Sequence, residues 1–323
     1  MNTTSRPVIL IPGDDPPQIQ GSARLKRLKE YGDVVLYDNR PQTEAELIER
    51  ANDVTCVINS RGQVKWPGHV LKQLPMLKMI TVCGIGTDAI DLEVAKQQGI
   101  VVSNIPGKTS PVVAEHAFAL MLAVSRCTSF FTQQMKQGEW PLWLATSLSG
   151  KTLGVIGTGN IGCEMIRLST AFGMNVIAWS FHPSEEKAQR LGFQYVELDE
   201  LLKQSDVVSL HVQLTDDSRN LIGERELSLM KPGSLLVNTA RGAVVDSTAL
   251  VNALNSGHLA GAGLDVFATE PLPSDDPILN CEHVVLTPHC ADQVPEGIDL
   301  LNSGCVENVI AFLEGRSQNV VNR

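Results

Sequence analysis

Leu153-Gly-Val-Ile-Gly-Thr-Gly-Asn-Ile-Gly162 is a short apolar strand that runs straight into the turn Gly157-x-Gly159-x-x-Gly162. The first glycine permits a tight turn, and the second lets backbone approach a pyrophosphate. The third lets the following helix pack closely on the strand, so that the N–H groups and dipole at its start face the phosphates. A bare G-x-G-x-x-G is a weak signal, and its setting is what gives it weight. Ile161, Met165, Leu168 and Phe172 follow at helical spacing, and Asn175-Val-Ile-Ala-Trp-Ser180 supplies a second strand. The stretch therefore predicts a β-α-β unit that binds a dinucleotide.

The same alternation extends in both directions. Before it, strands are expected at 8–11, 34–37, 55–59, 79–82 and 100–103, with helices near 22–30, 44–51, 70–74 and 92–98. The block from Gly150 to about His289 adds strands at 152–156, 175–180, 194–196, 207–211, 234–238, 261–266 and 284–287. Strand and helix in alternation mean a parallel sheet wrapped by helices. The fold class expected is α/β, with two Rossmann-like, doubly wound parallel-sheet domains and a cleft between them. A long helix near 111–137 is expected to join the blocks. Ile298, Leu301, Cys305, Val309 and Phe312 recur at helical spacing in the tail, which is expected to pack back on the first unit. The expected domains are 1–103 with 291–323, a flavodoxin-like substrate domain, and 104–290, the dinucleotide-binding Rossmann domain.

Composition narrows the function. A chain of 323 residues is comfortable as two domains with a sizeable core in each. Only 5% of residues are aromatic, and the small and branched aliphatics that dominate suit buried parallel strands. A net charge of -10 without any Lys/Arg run argues against a nucleic-acid partner, because a phosphate backbone needs a basic face. The seven cysteines are odd in number and scattered, with no C-x-x-C, as expected of reduced thiols in a cytoplasmic protein. Met1-Asn-Thr-Thr-Ser-Arg-Pro7 leads into the first strand without a leader pattern. No membrane partner is expected, because the longest apolar run, Ala117 to Val124, is too short to span a bilayer and reads as an interior helix.

Three further segments place polar residues just after an apolar strand, where open parallel sheets bind ligands. They are Leu235-Leu-Val-Asn-Thr-Ala-Arg-Gly242, Gly261-Ala-Gly-Leu-Asp-Val-Phe-Ala-Thr-Glu-Pro271 and Val284-Val-Leu-Thr-Pro-His289. With Gly84-Ile-Gly-Thr-Asp-Ala-Ile-Asp91, Asn104-Ile-Pro-Gly107 and Val113-Ala-Glu115, the chain resembles the D-isomer-specific 2-hydroxyacid dehydrogenases over nearly its whole length. That resemblance implies an oxidoreductase that reduces a small 2-oxo acid to the D-2-hydroxy acid, with glyoxylate, hydroxypyruvate or a related sugar-derived oxo acid as the substrate class.

The resemblance also implies roles for individual residues. Arg241 holds the substrate carboxylate and polarises its 2-oxo group, a task suited to a rigid two-pronged donor. His289 acts as acid and base, and Glu270 pairs with it to favour the imidazolium. Asp265 accepts a hydrogen bond from the nicotinamide carboxamide. Gly157, Thr158, Gly159, Asn160, Ile161, Ser180, His211, Val212, Thr215, Thr239 and Ala240 complete the cofactor site. Arg61, Ile85 and Gly86 contribute the substrate domain's side. The other histidines, His69, His116, His182, His258 and His283, take a structural role by default.

Some positions depart from the family pattern. Ser180 stands where NAD sites normally carry an acid for the ribose 2'-OH, which opens the site to NADP. Phe181, His182 and Pro183 bring no arginine, and Glu185 and Glu186 lie close by, so the expectation leans slightly to NAD with weak discrimination. Gln213 replaces a frequent proline, and Cys290 after His289 is also unusual. A metal site at Cys281, His283, His289 and Cys290 is rejected, since the two histidines are six positions apart in an extended stretch, roughly 20 Å. The resemblance implies a homodimer through the cofactor unit, with the helix from Pro111 and the stretch 128–143 contributing and Trp140 and Trp143 over the neighbour's cleft or anchoring a loop of their own chain. The alternatives to 2-oxo acid reduction are a dehydrogenase of another small anion, of the formate or phosphite type, and a non-catalytic dinucleotide-sensing interaction protein.

Overall fold

The structure, a computed structural model, describes residues 6–323, so Met1–Ser5, read above as free of a leader, lies outside the described residues. The described chain forms two compact units. One comprises residues up to Thr109 with Gln293–Arg323, and the other Ser110–Asp292.

In the first unit the elements run β1 (Val8–Ile11), α1 (Arg24–Tyr31), β2 (Asp33–Leu36), α2 (Glu44–Ala51), β3 (Cys56–Asn59), α3 (Gly68–Leu71), β4 (Met79–Val82), α4 (Leu92–Gln97) and β5 (Val101–Ser103). The sheet order is β2-β1-β3-β4-β5, all parallel, which is the flavodoxin-like doubly wound order. Alternation along each strand sends side chains to opposite faces, and here both faces are covered. Leu10, Val57 and Ile80 join a core with Leu47, Val70 and Leu71. Ile9, Ile58 and Met79 face the tail helix instead, packing with Cys305, Val306 and Val309. Each such aliphatic side chain, taken fully from water, contributes about 1.5–3 kcal/mol.

The second unit runs α5 (Ser110–Ser125), α6 (Thr128–Lys136), β6 (Thr152–Ile156), α7 (Asn160–Ala171), β7 (Asn175–Trp179), α8 (Glu185–Leu191), β8 (Gln194–Tyr195), α9 (Leu198–Gln204), β9 (Val207–Leu210), α10 (Glu224–Leu229), β10 (Ser234–Asn238), α11 (Ser247–Asn255), β11 (Leu259–Leu264) and β12 (Val284–Leu286). Then α12 (Pro295–Leu313) returns to the first unit and lies on α1, β3 and β4. The seven-stranded parallel sheet has the order β12-β11-β10-β9-β6-β7-β8. The chain moves outward one way from β6 through β7 to β8, and the other way from β9 to β12, so β6 and β9 flank the topological switch point where such sheets bind ligands.

The single helix expected over 111–137 is two. Cys127 sits in the left-handed region (φ 50) between α5 and α6, and reverses the backbone there. Apolar periodicity continues across the break, which is why spacing did not reveal it. The interior reading of 117–124 holds, with Ala117, Leu120, Met121 and Val124 buried against the sheet. β11 ends at Leu264, so Asp265 begins the following loop rather than ending the strand. No helix among the described residues is long and apolar enough to cross a membrane.

Candidate active site

All seven strands of the second sheet are parallel, so their carboxyl ends share one edge. To that edge come the glycine turn after β6, Ser180 after β7, His211 and Val212 after β9, and Thr239, Ala240 and Arg241 after β10. Asp265 follows β11, and His289 lies three residues beyond β12.

The residues at the switch point fit a dinucleotide. Gly157 has φ 99, and a Cβ there would stand 2.7 Å from the His211 backbone, while a Cβ at Gly162 would overlap the Gly157 carbonyl oxygen. At Gly159, by contrast, a Cβ would meet nothing within 4 Å, so this glycine faces open space in front of the turn. Gly159 caps α7 without a side-chain hydrogen bond, so the first N–H groups of this helix, those of Asn160 and Ile161 included, have no capping side chain. Two buried polar atoms lining the same edge, Nδ1 of His211 and Oγ1 of Thr239, lack a hydrogen-bond partner among the described residues. Burial lowers the His211 pKa to about 4, so the ring is neutral, with Nε2 2.8 Å from the Ser209 hydroxyl. Thr215 lies further out, its N–H bound to Ser218 Oγ.

His289 and Glu270 meet, with Nδ1 to Oε2 at 2.7 Å. The Phe267 N–H donates to the other carboxylate oxygen, Oε1, at 2.9 Å and fixes the carboxylate's orientation. The hydrogen bond to Glu270 raises the His289 pKa against the opposing effects of burial and the Arg241 charge, and the Glu270 charge adds to the rise. Burial pushes the Glu270 carboxyl up, but its bonds to His289 and Phe267 N–H and the two neighbouring positive charges more than offset this and hold it low. Each member of the pair therefore favours the other's charged form, imidazolium beside carboxylate. Arg241 is half-buried at the end of β10, with Nη1 bound to the Ala240 carbonyl and its own carbonyl held by Asn238 Nδ2.

Asp265 does more than the sequence suggested. Its carboxylate is almost fully buried and accepts from Thr287 Oγ1 (2.6 Å), Cys290 N–H (2.9 Å) and Ala291 N–H (3.0 Å). Its carbonyl accepts the His289 N–H at 2.8 Å, and His289 itself has φ 50. Asp265 thus organises the loop that carries His289 in a left-handed conformation unusual for a non-glycine residue. Burial raises the Asp265 carboxyl, but bonds from His116, Thr287 and Cys290 N–H outweigh it and keep it ionised.

His116 belongs to this group despite its default structural assignment. From α5 its Nε2 reaches Thr287 Oγ1 at 3.0 Å and Asp265 Oδ1 at 3.4 Å. No local pattern shows that α5 passes this loop, although His116 directly follows the Val113-Ala-Glu115 segment. His116, Asp265 and Cys290 bring one donor atom each within 4.8 Å of one another. The hydroxyl and the two N–H groups that already occupy the Asp265 carboxylate make this a hydrogen-bonded network.

In the other unit, Arg61 follows β3 with φ 56, and its Nη1 donates to Gln293 Oε1 at 2.8 Å. Ile85 and Gly86 follow β4, and the Ile85 carbonyl accepts from Asn104 Nδ2 at 2.7 Å.

The family model described as D-isomer specific 2-hydroxyacid dehydrogenase, NAD binding domain, matches residues 118–291. A glyoxylate reductase of Korarchaeum cryptofilum is 38% identical over 93% of this chain and 92% of its own length. Among solved structures, a glyoxylate reductase from Paecilomyes thermophila superposes with a TM-score of 0.90 at 32% identity, covering 98% of each chain. An acyclic imino acid reductase in complex with NADPH and D-Arg gives 0.89 at 30%, covering 97% of this chain and 99% of its own. With the glycine turn, the switch point and the His–Glu pair in place, the chain belongs to the D-isomer specific 2-hydroxyacid dehydrogenase family and is a nicotinamide-dinucleotide-dependent oxidoreductase.

Proposed function

We propose that the protein reduces a small 2-oxo acid to the D-2-hydroxy acid, with His289 as proton donor, Glu270 as its partner and Arg241 as the carboxylate clamp. The observation that carries this reading is the 2.7 Å contact of His289 Nδ1 with Glu270, which leaves Nε2 without a partner among the described residues. Nδ1–H donates to the carboxylate, so Nε2–H is the proton a substrate carbonyl oxygen meets. The bound dinucleotide supplies the hydride. Arg241 offers paired N–H donors to the carboxylate and draws charge from the 2-oxo group. Asp265, held by the loop after β12, keeps a lone pair on Oδ2 for the nicotinamide carboxamide. Arg61, Ile85 and Gly86 are proposed to make the substrate contacts of the unit that contains β1–β5, with residues 110–292 holding the cofactor.

Glyoxylate and hydroxypyruvate are the substrates of choice, supported by the relatives that carry the name glyoxylate reductase. The test is loss of nicotinamide absorbance with NADH and with NADPH against glyoxylate, hydroxypyruvate, pyruvate and longer 2-oxo acids. Turnover on a short 2-oxo acid is expected, and cofactor binding with no turnover on any of them would sink the proposal.

A homodimer is part of the reading. Residues 139–148 have no regular secondary structure, and there Trp140, Leu142 and Leu144 are 81%, 94% and 97% exposed. Trp143 packs instead on Phe130 and His283 in its own unit. So much apolar surface on one arm calls for a cover, and a second copy supplies it. Light scattering is expected to give twice the 35.0 kDa chain mass at micromolar concentration, and Leu142→Glu with Leu144→Glu to shift it toward the monomer. A wild-type monomer would remove the proposal.

A further inference from the structure

We propose that the adenosine end of the cofactor site takes a ribose 2'-phosphate, gripped by the ammonium of Lys187, so that NADP(H) binds more tightly than NAD(H). The inference rests on the dinucleotide reading above and deepens it. In this fold the ribose 2' position lies by the end of the second strand of the binding unit, where an acid selects the free hydroxyl. Ser180 has no charge to repel a phosphate, and its Oγ accepts the His182 N–H at 3.2 Å.

The fold adds a cation that the strand-end sequence lacks. The Tyr195 hydroxyl lies 2.7 Å from Thr158 Oγ1 and accepts the Ser184 N–H at 3.2 Å, which ties the residue before α8 to the glycine turn. Lys187, half-buried in α8, then reaches the turn itself, with Nζ donating to the Thr158 carbonyl at 2.9 Å. The turn is held to the end of β7 by the Gly157 N–H on the Trp179 carbonyl, one residue before Ser180. The ammonium is thus placed on the turn, whose preceding residue, Gly157, is bound to the last residue of β7. Glu185 and Glu186, which argued for NAD in the sequence, are exposed, and no carboxylate pairs with Lys187 among the described residues. Burial raises the Cys163 thiol at the start of α7, and the Glu164 charge adds to the rise while those of Lys187 and Arg190 act against it. An ammonium bound among the described residues to the Thr158 carbonyl keeps donors for an incoming phosphate.

The test is calorimetric titration of the full chain with AMP and with adenosine 2',5'-bisphosphate, which differ only in the 2'-phosphate and involve no turnover. The bisphosphate is expected to bind about ten- to a hundredfold more tightly, the span of one charge-assisted contact. That advantage should shrink with added salt. Lys187→Met should abolish it, and Ser180→Asp, which leaves Lys187 in place, should reverse it. Equal binding of the two nucleotides by the wild type, or a preference that survives Lys187→Met, overturns this inference and leaves the dinucleotide reading standing. Binding of neither overturns both.

Discussion

Replacing His289 with alanine is expected to lower turnover by about two to four decades while dinucleotide binding is retained. The ring is placed for acid–base work by three separate restraints. Glu270 holds Nδ1, the Asp265 carbonyl holds the His289 N–H, and the Asp265 carboxylate holds the backbone of the next two residues. None of these bonds belongs to the glycine turn, so the loss should fall on the chemical step. The same pair sets the pH dependence. Reduction consumes the imidazolium, whose pKa the Glu270 hydrogen bond raises, so the rate should fall as pH climbs through that raised value. Oxidation of the hydroxy acid needs the neutral ring and should rise over the same span. Glu270→Gln removes the main raising influence and should move the alkaline limb of reduction to lower pH. Steady-state rates across pH for the three proteins test this, and an alanine variant within tenfold of wild type would show that another group carries the proton.

Gly242→Ala is expected to damage stability and activity together. A Cβ at this position would overlap the backbone of Phe267 and Ala268. Neither neighbour can swing aside as a side chain does, so the two loops must part, at a cost of about 1–3 kcal/mol typical of overpacking. Those loops carry the chemistry: Arg241 directly precedes Gly242, and the Phe267 N–H orients Glu270. A displacement near 1 Å there is enough for roughly a hundredfold loss in kcat/KM. Thermal melting and kcat/KM measured on one preparation check both parts, and an alanine variant that melts with the wild type would show that the loops separate freely. The glycine's role was invisible in Leu235–Gly242 because its counterpart lies some 25 residues away in another loop.

What was legible beforehand was whatever local spacing or order along the chain determines. The glycine turn reads from ten consecutive residues because the turn, the close approach and the helix start are all properties of adjacent backbone. Strand–helix alternation announces parallel sheets because a parallel connection must cross a face. The motifs ending β10, β11 and β12 predict a shared edge for Arg241, Asp265 and His289 for the same reason. The break at Cys127 was not legible, since side-chain periodicity is blind to a single residue's φ. Nor were the contacts of His116 with Thr287, 171 residues on, of Lys187 with the Thr158 carbonyl, and of Asp265 with the loop that carries His289. Sequence determined the two sheets and which residues stand at their carboxyl ends, because periodicity and turn chemistry act over a few residues. Only the tertiary structure decided which of those side chains share a proton or a charge, because hydrogen bonds and ion pairs act over about 3 Å in space whatever the separation along the chain.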